Sequence, residues 1–537
     1  MSSINYTNKH FLVIDNIKPS HDVLKKFAMS LTTKSVDSTY YAQDAIPLCL
    51  EKQYDVIFLG YDLGEQQKNG QQLLEELRLS EVISRHCVVI MITAEVSQAM
   101  VLAALEHKPD SYLCKPYTVN ELNKRLDNCA RKKDAMTEIY QALEHDNKSL
   151  AISLVNEALA KNTPYRSECL GIKSRQFFEL EEFQQAKEIY MAYANEKNCT
   201  WANIGLGKIA LQENKLTDAE NIFKNVIEKK PFYLPGYDWL ASTYEKKYNS
   251  LFAEETLEKA VNLSPRSVPR LKKYAGLCFN NEHFEKATSA YRKVYDLAYN
   301  SIHHSPENAL LFVQSLAHYS ADIPLADAKK MNNKAFTILS QVSKAFNQPE
   351  IRIQSHLLSA CLLENIKDHI VANSKIEQGL RLLAKEEYNI DSKSIKNIAN
   401  TLTKLNKKDK ASELLNLANP EESDVNKAEE TSDSQPSNYA TRAQKALNIG
   451  KELYETQQYD KAIKSLTEAL QLFPNHNGIK LNLLQILLGT YESDKMRVKE
   501  LKLAKKIILG LINIPKSNEE YLRFKKMKVK YQQLASI

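Results

Sequence analysis

The sequence predicts an α/β domain with a parallel sheet at its N-terminus, followed by a long all-α repeat array. Two patterns predict this order. Over residues 1–131, short apolar runs alternate with segments whose apolar residues have helical spacing, as in a parallel sheet covered by helices. Beyond them the strand signals stop, and small and bulky residues recur with a period of about 34, which is typical of a helical repeat. The low contents of glycine (13) and proline (16) in 537 residues also favour long helices.

Five short strands are predicted in the N-terminal domain, with helices between them. The strands are expected at about 11–14, 34–37, 56–59, 87–92 and 111–114, and helices after the first strand and at about 70–79, 97–107 and 118–131. In open parallel sheets, ligand sites lie at the carboxyl ends of the strands. The residues that follow the strands are therefore the candidates for a functional site: Asp15, Asn16, Gly60, Thr93 and Lys115.

These residues give about 8–131 a resemblance to the receiver domain of bacterial response regulators, which has a CheY-like, flavodoxin-like fold. Asp15 and Asn16 stand where the family has a pair of acids that hold Mg²⁺. Thr93 stands where it has a Thr or Ser that binds the phosphoryl oxygen, and Lys115 matches the lysine that pairs with the phosphoaspartate. Tyr112 falls at the rotameric switch aromatic. The resemblance implies a role in phosphorelay signal transduction.

The sequence departs from this family at the phosphoacceptor. Gly60 stands where the family has its aspartate, and an acyl phosphate needs a carboxylate nucleophile. Asn16 is a neutral replacement for one Mg²⁺ ligand, which leaves Asp15 as a weak metal ligand at most. We therefore expect a pseudo-receiver without a bound cofactor or metal. Asp15, Thr93 and Lys115 could persist there as a structural charge pair and a cap.

A second alignment makes Asp62 the phosphoacceptor. Gly70 then falls at the family's usual distance after the acceptor. Against this, the strand would run two residues too long, and Leu63 and Gly64 would lose their match to the family's hydrophobe and Pro or Gly. Both alignments remain open on the sequence, and Gly60 is the preferred acceptor position.

Beyond residue 131 the repeat has a recognisable unit. Alanines recur with a bulky residue four positions later, at Ala151, Ala186, Ala219, Ala253 and Ala287. The clearest unit, about 200–233, carries Gly207, Ala219, Phe223 and Pro231 and resembles the tetratricopeptide repeat. The predicted divisions are a receiver-like domain at 1–131, tetratricopeptide repeats at 132–301, divergent helical repeats at 302–418, an acidic disordered linker at 419–438, and a further repeat with capping helices at 439–537.

A repeat array of this kind presents a groove that binds a peptide or a helix. The resemblance places groove residues on the first helix of each pair, and the candidates there are Trp201, Ile204, Lys208, Asp238 and Lys272. Trp201 is either a binding hot spot or an ordinary packing residue. The array therefore predicts a second protein partner.

The main functional hypothesis is a non-enzymatic protein of a bacterial two-component system. Its pseudo-receiver would bind a histidine kinase or phosphotransfer protein and modulate phosphotransfer. One alternative is a working response regulator phosphorylated at Asp62, with the array as its output domain. Another is a scaffold that acts outside any phosphorelay, with a receiver that forms a homodimer through its fourth and fifth helices.

The overall composition argues against several other classes of protein. The eight cysteines are scattered singly, which indicates a reducing compartment, and we expect a cytoplasmic protein. No apolar run approaches the roughly 20 residues that span a bilayer, so no membrane partner is expected. The basic segment 495–530 is predicted to be a solvated helix face and not a nucleic-acid site, because no DNA-binding motif accompanies it.

Overall fold

A computed structural model gives the fold of this chain. It describes residues 4–64, 67–94, 97–196, 199–386, 390–418, 450, 453–454, 456, 458–472, 477–490, 503–504, 507–508, 511, 523–528 and 530–531. The chain divides into two compact units, Met1–Glu387 and Tyr388–Ile537.

The first unit begins with a five-stranded sheet whose strand order is β2-β1-β3-β4-β5, with every neighbouring pair parallel. The strands are β1 (His10–Ile14), β2 (Ser35–Thr39), β3 (Val56–Gly60), β4 (Val88–Thr93) and β5 (Ser111–Cys114). The helices are α1 (Lys18–Ser30), α2 (Ala42–Glu51), α3 (Gly70–Leu79), α4 (Gln98–Glu106) and α5 (Val119–Ala135). The predicted α/β class and its five strands are confirmed.

The central strands are almost entirely apolar because both of their faces are covered. Side chains alternate along each strand, so Leu12 and Ile57 pack towards α2 and α3, while Phe11 and Phe58 pack towards α1 and α5. The ring of Phe58 lies 5.9 Å from those of Phe11 and Phe27 between centroids. These two cores hold the carboxyl ends of the strands at one edge of the domain.

The rest of the first unit is helical. Its helices are α6 (Thr137–Glu144), α7 (Lys148–Ala160), α8 (Arg166–Glu179), α9 (Phe183–Tyr193), α10 (Thr200–Gln212), α11 (Leu216–Lys229), α12 (Leu234–Lys246), α13 (Ser250–Leu263), α14 (Val268–Asn280), α15 (Phe284–Ala298), α16 (Pro306–Tyr319), α17 (Leu325–Ala345), α18 (Pro349–Asn365) and α19 (His369–Glu386). Only Met136 separates α6 from α5, so the sheet domain leads directly into the helices. We call α6–α15 the repeat array.

The repeat array consists of helix pairs with a common turn. Inside each pair the chain passes through a left-handed residue with φ between 48° and 63°, at Asp146, Glu181, Asn214, Tyr248 and Glu282. These positions recur about 34 residues apart, which is the period of the sequence. The second helix of each pair carries the buried alanine and its bulky partner. The all-α repeat class is confirmed.

Small residues let neighbouring helices approach closely, both within a pair and between successive pairs. A Cβ atom at Gly207 of α10 would lie 2.4 Å from the ring of Phe223 on α11. A Cβ atom at Gly205 would lie 2.3 Å from the ring of Tyr190 on α9. Large rings therefore fill the space that these two glycines leave open.

The second unit is described in part. Its helices are α20 (Ser392–Lys404), α21 (Lys408–Ala418), α22 (Tyr459–Leu472) and α23 (Asn477–Thr490). Gly450 and Leu466 repeat the glycine-to-bulky contact, with a Cβ distance of 2.6 Å. The predicted linker 419–438 and most of the basic segment 495–530 lie outside the described residues. Within the described residues, no helix is both long and apolar enough to cross a membrane.

Candidate functional site

The carboxyl ends of four strands bring the predicted pocket residues to one edge of the sheet. Asp15 follows β1, Gly60 ends β3, Thr93 ends β4 and Lys115 follows β5. Lys115 Nζ reaches across this edge to Asp15 Oδ2 at 2.9 Å. Thr93 is buried beside them, and its carbonyl accepts from Lys115 N at 2.7 Å. The strand order thus gathers residues that are about 100 positions apart in the chain.

Asp15 is only 1% exposed, and protein donors satisfy its carboxylate. Oδ1 accepts from Ile17 N at 2.9 Å, and Oδ2 accepts from Ser20 Oγ at 2.6 Å as well as from Lys115. A buried carboxylate needs a partner of opposite charge. Lys115 supplies that charge from within the chain.

Gly60 lies against Asp15 with almost no room for a side chain. A Cβ atom there would be 3.1 Å from Ile14 O and 3.3 Å from Asp15 Cγ. On its other side Gly60 meets Gly70, where a Cβ atom would lie 2.1 Å from Gly60 O. Gly70 N donates to Tyr61 O at 2.8 Å. The first residue of α3 therefore packs directly on the end of β3.

The other predicted pocket residues differ in position. Asp62 is exposed, and its Oδ1 accepts from Gly64 N at 3.0 Å, which closes a turn in the loop after β3. No ion pair joins Asp62 to Lys115 among the described residues. Asn16 Oδ1 is buried and has no hydrogen-bond partner in the described part of the chain. Tyr112 is half-buried on β5 and packs on the core under α3.

The donors in this pocket fit a divalent cation poorly. Mg²⁺ prefers carboxylate oxygens in a near-octahedral arrangement. Asp15 contributes a carboxylate whose Oδ2 already faces Lys115, Asn16 offers a neutral amide oxygen, and Gly60 contributes no side chain. Within the described ranges, no group of three or more His, Cys, Asp or Glu side chains is arranged to hold a metal ion. The donor set therefore gives no support to a reaction step through a bound metal.

The rim of the pocket carries exposed apolar side chains. Ile17 and Tyr41 are 44% and 42% exposed, and Tyr40 is 37% exposed while its ring stacks on His21. These residues follow β1 and β2, next to Asp15. Exposed apolar side chains at the ends of two neighbouring strands make this rim a candidate surface for another protein.

The predicted groove residues mostly contact other parts of the array. Trp201 packs against Gly171 and against the ring of Tyr190, and its Nε1 donates to Ser167 Oγ at 3.3 Å. Ile204 is buried. Such contacts favour a packing role for Trp201 over an open hot spot.

The three charged groove candidates also have partners. Lys208 Nζ lies over the ring of Trp239, 4.7 Å from its centroid, and burial lowers the pKa of this lysine. Lys272 Nζ pairs with Glu307 Oε2 at 2.7 Å. Asp238 holds Arg270 through two bonds of 2.8 Å each. Arg270, the partner of Asp238, also contacts the sheet domain.

Sequence reasoning missed an interface between the α3–α4 side of the sheet domain and the helices α12–α15. Arg270 Nη1 on α14 donates to Glu106 Oε1 on α4 at 2.9 Å, and Ser264 Oγ donates to the same oxygen at 2.5 Å. Arg266 Nη1 donates to the hydroxyl of Tyr61 at 3.0 Å. Leu102 of α4 packs on an apolar cluster of α12 and α13. The array therefore covers this side of the domain.

Two further contacts join α3 to the last helix of the array and to the segment that follows it. Gln72 Nε2 donates to Leu297 O at 3.0 Å, and His303 Nε2 lies 2.7 Å from Glu75 Oε1. His107, beside Glu75, is half-buried, and its partial burial lowers the pKa of its imidazole. Burial alone would lower the pKa of Arg270 as well, but its carboxylate partners raise it above the usual range of arginine. Arg270 thus stays charged inside the interface.

Comparison with known proteins is consistent with an N-terminal sheet domain followed by helical repeats. Residues 11–127 match the family model of the response regulator receiver domain, and residues 443–476 match that of the tetratricopeptide repeat. The chemotaxis protein CheY-3 of Vibrio cholerae serotype O1 is 24% identical over 127 residues, which make up 24% of this chain and 95% of that protein.

Solved structures resemble either part of the chain. A two-component response regulator from Clostridium difficile is 27% identical and covers 23% of this chain and 97% of its own, with a TM-score of 0.21. The C-terminal part of a TPR repeat-containing protein from Cytophaga hutchinsonii is 16% identical and covers 48% of this chain and 97% of its own, with a TM-score of 0.35. The chain carries a receiver domain at its N-terminus and a tetratricopeptide repeat near its C-terminus.

Proposed function

We propose that this chain is a non-enzymatic protein of a two-component system. Its receiver domain binds a histidine kinase or a phosphotransfer protein, takes no phosphoryl group, and thereby modulates transfer to an ordinary receiver. The helical repeats bind a second protein. A receiver domain joined to a tetratricopeptide repeat supports signalling with a protein-interaction module.

The observation that carries the proposal is Gly60 at the end of β3. Its Cβ position lies 3.3 Å from Asp15 Cγ, so an acceptor carboxylate at this residue would stand beside Asp15 and Lys115. Glycine has no nucleophile to offer. Lys115 already neutralises Asp15, so the pocket is stable without a metal or a phosphoryl group. These features support a receiver domain that keeps its fold but cannot accept a phosphoryl group.

The surface that would meet the kinase is the pocket rim with Ile17, Tyr40 and Tyr41. It is apolar and exposed, and it lies beside the pocket that a phosphodonor would approach. The α3–α4 side, in contrast, is covered by the repeat array. This also gives less support to a homodimer through α4 and α5, because Leu102 and Glu106 of α4 contact the array.

Phosphoryl transfer to the full chain tests this proposal. The protein is incubated with radiolabelled, phosphorylated histidine kinases of its own organism, with and without an ordinary receiver in the mixture. We expect no label on this chain and slower labelling of the ordinary receiver. Label that appears on the wild-type chain and disappears in Asp62→Ala would support the alternative, a response regulator phosphorylated at Asp62.

The rim is tested by binding. Ile17→Ser and Tyr41→Ser should weaken binding of the kinase because they remove exposed apolar area, and they should not change the far-UV spectrum. Leu50→Ser is the matched control, since Leu50 is an exposed apolar residue at the far end of α2. Equal loss of binding in the control, or no loss in the two rim variants, would contradict the assignment of this surface.

A further inference from the structure

We propose that α4 of the receiver domain is an internal ligand of the repeat array. Its Leu102 and Glu106 occupy a helix-binding site formed by α12, α13 and α14. An outside partner of this site is an amphipathic helix that presents an apolar residue and, one turn later, an acidic residue. The proposal does not depend on whether the receiver accepts a phosphoryl group, so the two can fail separately.

The apolar half of the site receives Leu102. This side chain packs on a cluster whose buried members are Leu234, Tyr237 and Ala260, with Ile227 beside them. These residues come from α11, α12 and α13, so they belong to two successive repeats. A side chain bound across two repeats is held in the way that repeat arrays hold their ligands.

The polar half of the site receives Glu106. Leu102 and Glu106 are four residues apart and therefore lie on one side of α4. Glu106 Oε1 accepts from Arg270 Nη1 and Ser264 Oγ. Asp238 fixes the guanidinium of Arg270 by two bonds, which leaves Nη1 directed at Glu106. Asp238 and Arg270 lie on the first helices of two pairs, where the groove of such an array is expected.

The composition of α4 fits a helix with two covered sides. Seven of its nine residues are apolar, and the polar ones are Gln98 and Glu106 at its ends. Ala104 packs on the receiver's own core, while Leu102 packs on the array. A helix that is apolar on all sides must be buried on more than one side. If α4 left the array, it would expose an apolar surface and a site for another helix.

Charge complementarity defines the partner of this site. The receiver contributes the carboxylate of Glu106, and the array contributes the guanidinium of Arg270, which Asp238 holds in place. A helix with a basic residue in place of Glu106 would face Arg270 and be repelled. The site should therefore select acidic helices and reject basic ones.

Release of α4 in the full chain tests the proposal without changing the array. Glu106→Lys places a cation against Arg270, and Glu121→Lys is the matched control because Glu121 forms an exposed pair with Arg125 on α5. We expect hydrogen exchange in residues 98–106 to become at least about tenfold faster in Glu106→Lys and to stay unchanged in the control, since a hydrogen bond to a charged group is worth about that factor or more.

A labelled synthetic peptide with the sequence of residues 97–108 tests the site itself. It should bind the Glu106→Lys chain at least about tenfold more tightly than the wild-type chain, in which α4 fills the site. The same peptide with Lys at position 106 should not bind, and Arg270→Ala added to Glu106→Lys should abolish binding of the original peptide.

Three results would overturn the proposal. One is exchange in α4 that stays as slow in Glu106→Lys as in the wild type. A second is equal affinity of the peptide for both chains, and a third is faster exchange in α4 without any peptide binding, which would make α4 a packing element only. Because Glu106→Lys leaves the array sequence intact, poor folding of Arg270→Ala would not remove these tests.

Discussion

Two sides of the receiver domain have opposite surroundings. The pocket rim at the carboxyl ends of β1 and β2 is open and exposes Ile17 and Tyr41, while the α3–α4 side is covered by helices of the repeat array. A surface that stays open and apolar is available to a second protein. A surface that is covered couples the receiver to the array of the same chain.

The buried charges on the two sides have different roles. In the pocket, Lys115 neutralises Asp15, and both residues belong to the receiver domain. At the covered side, Arg270 of the array sits between Asp238 of the array and Glu106 of the receiver. The first set of contacts stabilises one domain, and the second joins two parts of the chain. Removal of each set should therefore affect different measurements.

The largest expected effect on stability comes from a substitution at Gly70, the first residue of α3, which lies between the pocket and the covered side. Gly70→Ala would place a Cβ atom 2.1 Å from Gly60 O, so α3 would have to move away from both β3 and the array. We expect a loss of about 3 kcal/mol in the free energy of unfolding, measured by urea denaturation of the full chain with circular dichroism.

Gly276→Ala is the control for that substitution. Its Cβ atom would lie at an ordinary 3.5 Å from Tyr291 Oη within the array, and alanine favours helix. It should be neutral or raise the free energy of unfolding by up to about 1 kcal/mol. A Gly70→Ala chain as stable as the Gly276→Ala chain would show that the end of β3 can relax.

A smaller effect is expected inside the pocket. Lys115→Met removes the cation that pairs with the buried Asp15 and should lower the free energy of unfolding by about 2 kcal/mol at pH 7, since one partner of the pair is partly exposed. Exchange in α4 should stay unchanged, because this pair lies within the receiver domain. An unchanged free energy of unfolding in Lys115→Met would contradict the role given to Lys115.

The smallest effect concerns pH at the covered side. Burial holds the pKa of His107 below its ordinary value of 6.5, so below about pH 6.5 the unfolded chain binds more protons than the folded chain. The free energy of unfolding should therefore fall as the pH drops below that value. His107→Gln should reduce this slope, measured by denaturation between about pH 7.5 and about pH 5.5. A slope that is the same in the variant would remove His107 as its source.

Some features of the fold and site were readable from residue patterns alone. The apolar runs of β3 and β4, each ending at a glycine or threonine, predicted a parallel sheet with its site at one edge. The period of about 34 predicted the paired helices, and the structure repeats it in the left-handed turns at Asn214, Tyr248 and Glu282. Because all strands of the sheet are parallel, Asp15 after β1 and Lys115 after β5 lie at the same edge, where they make contact.

Other features could be identified only from the folded structure. The candidates Trp201 and Ile204 lie on the helices where a groove was expected, but their side chains pack inside the array. The interface at α4 was missed, although one signal was present. Seven apolar residues in a nine-residue helix exceed what one side of a receiver core can bury.

The sequence by itself determined the two architectures and the absence of a carboxylate at Gly60, because periodicity and residue identity are local properties. Only the tertiary structure decided that Asp15 finds its cation in Lys115 and that Arg270 meets Glu106. Those pairs are about 100 and about 160 residues apart, and no local pattern specifies which distant charges will share a buried space.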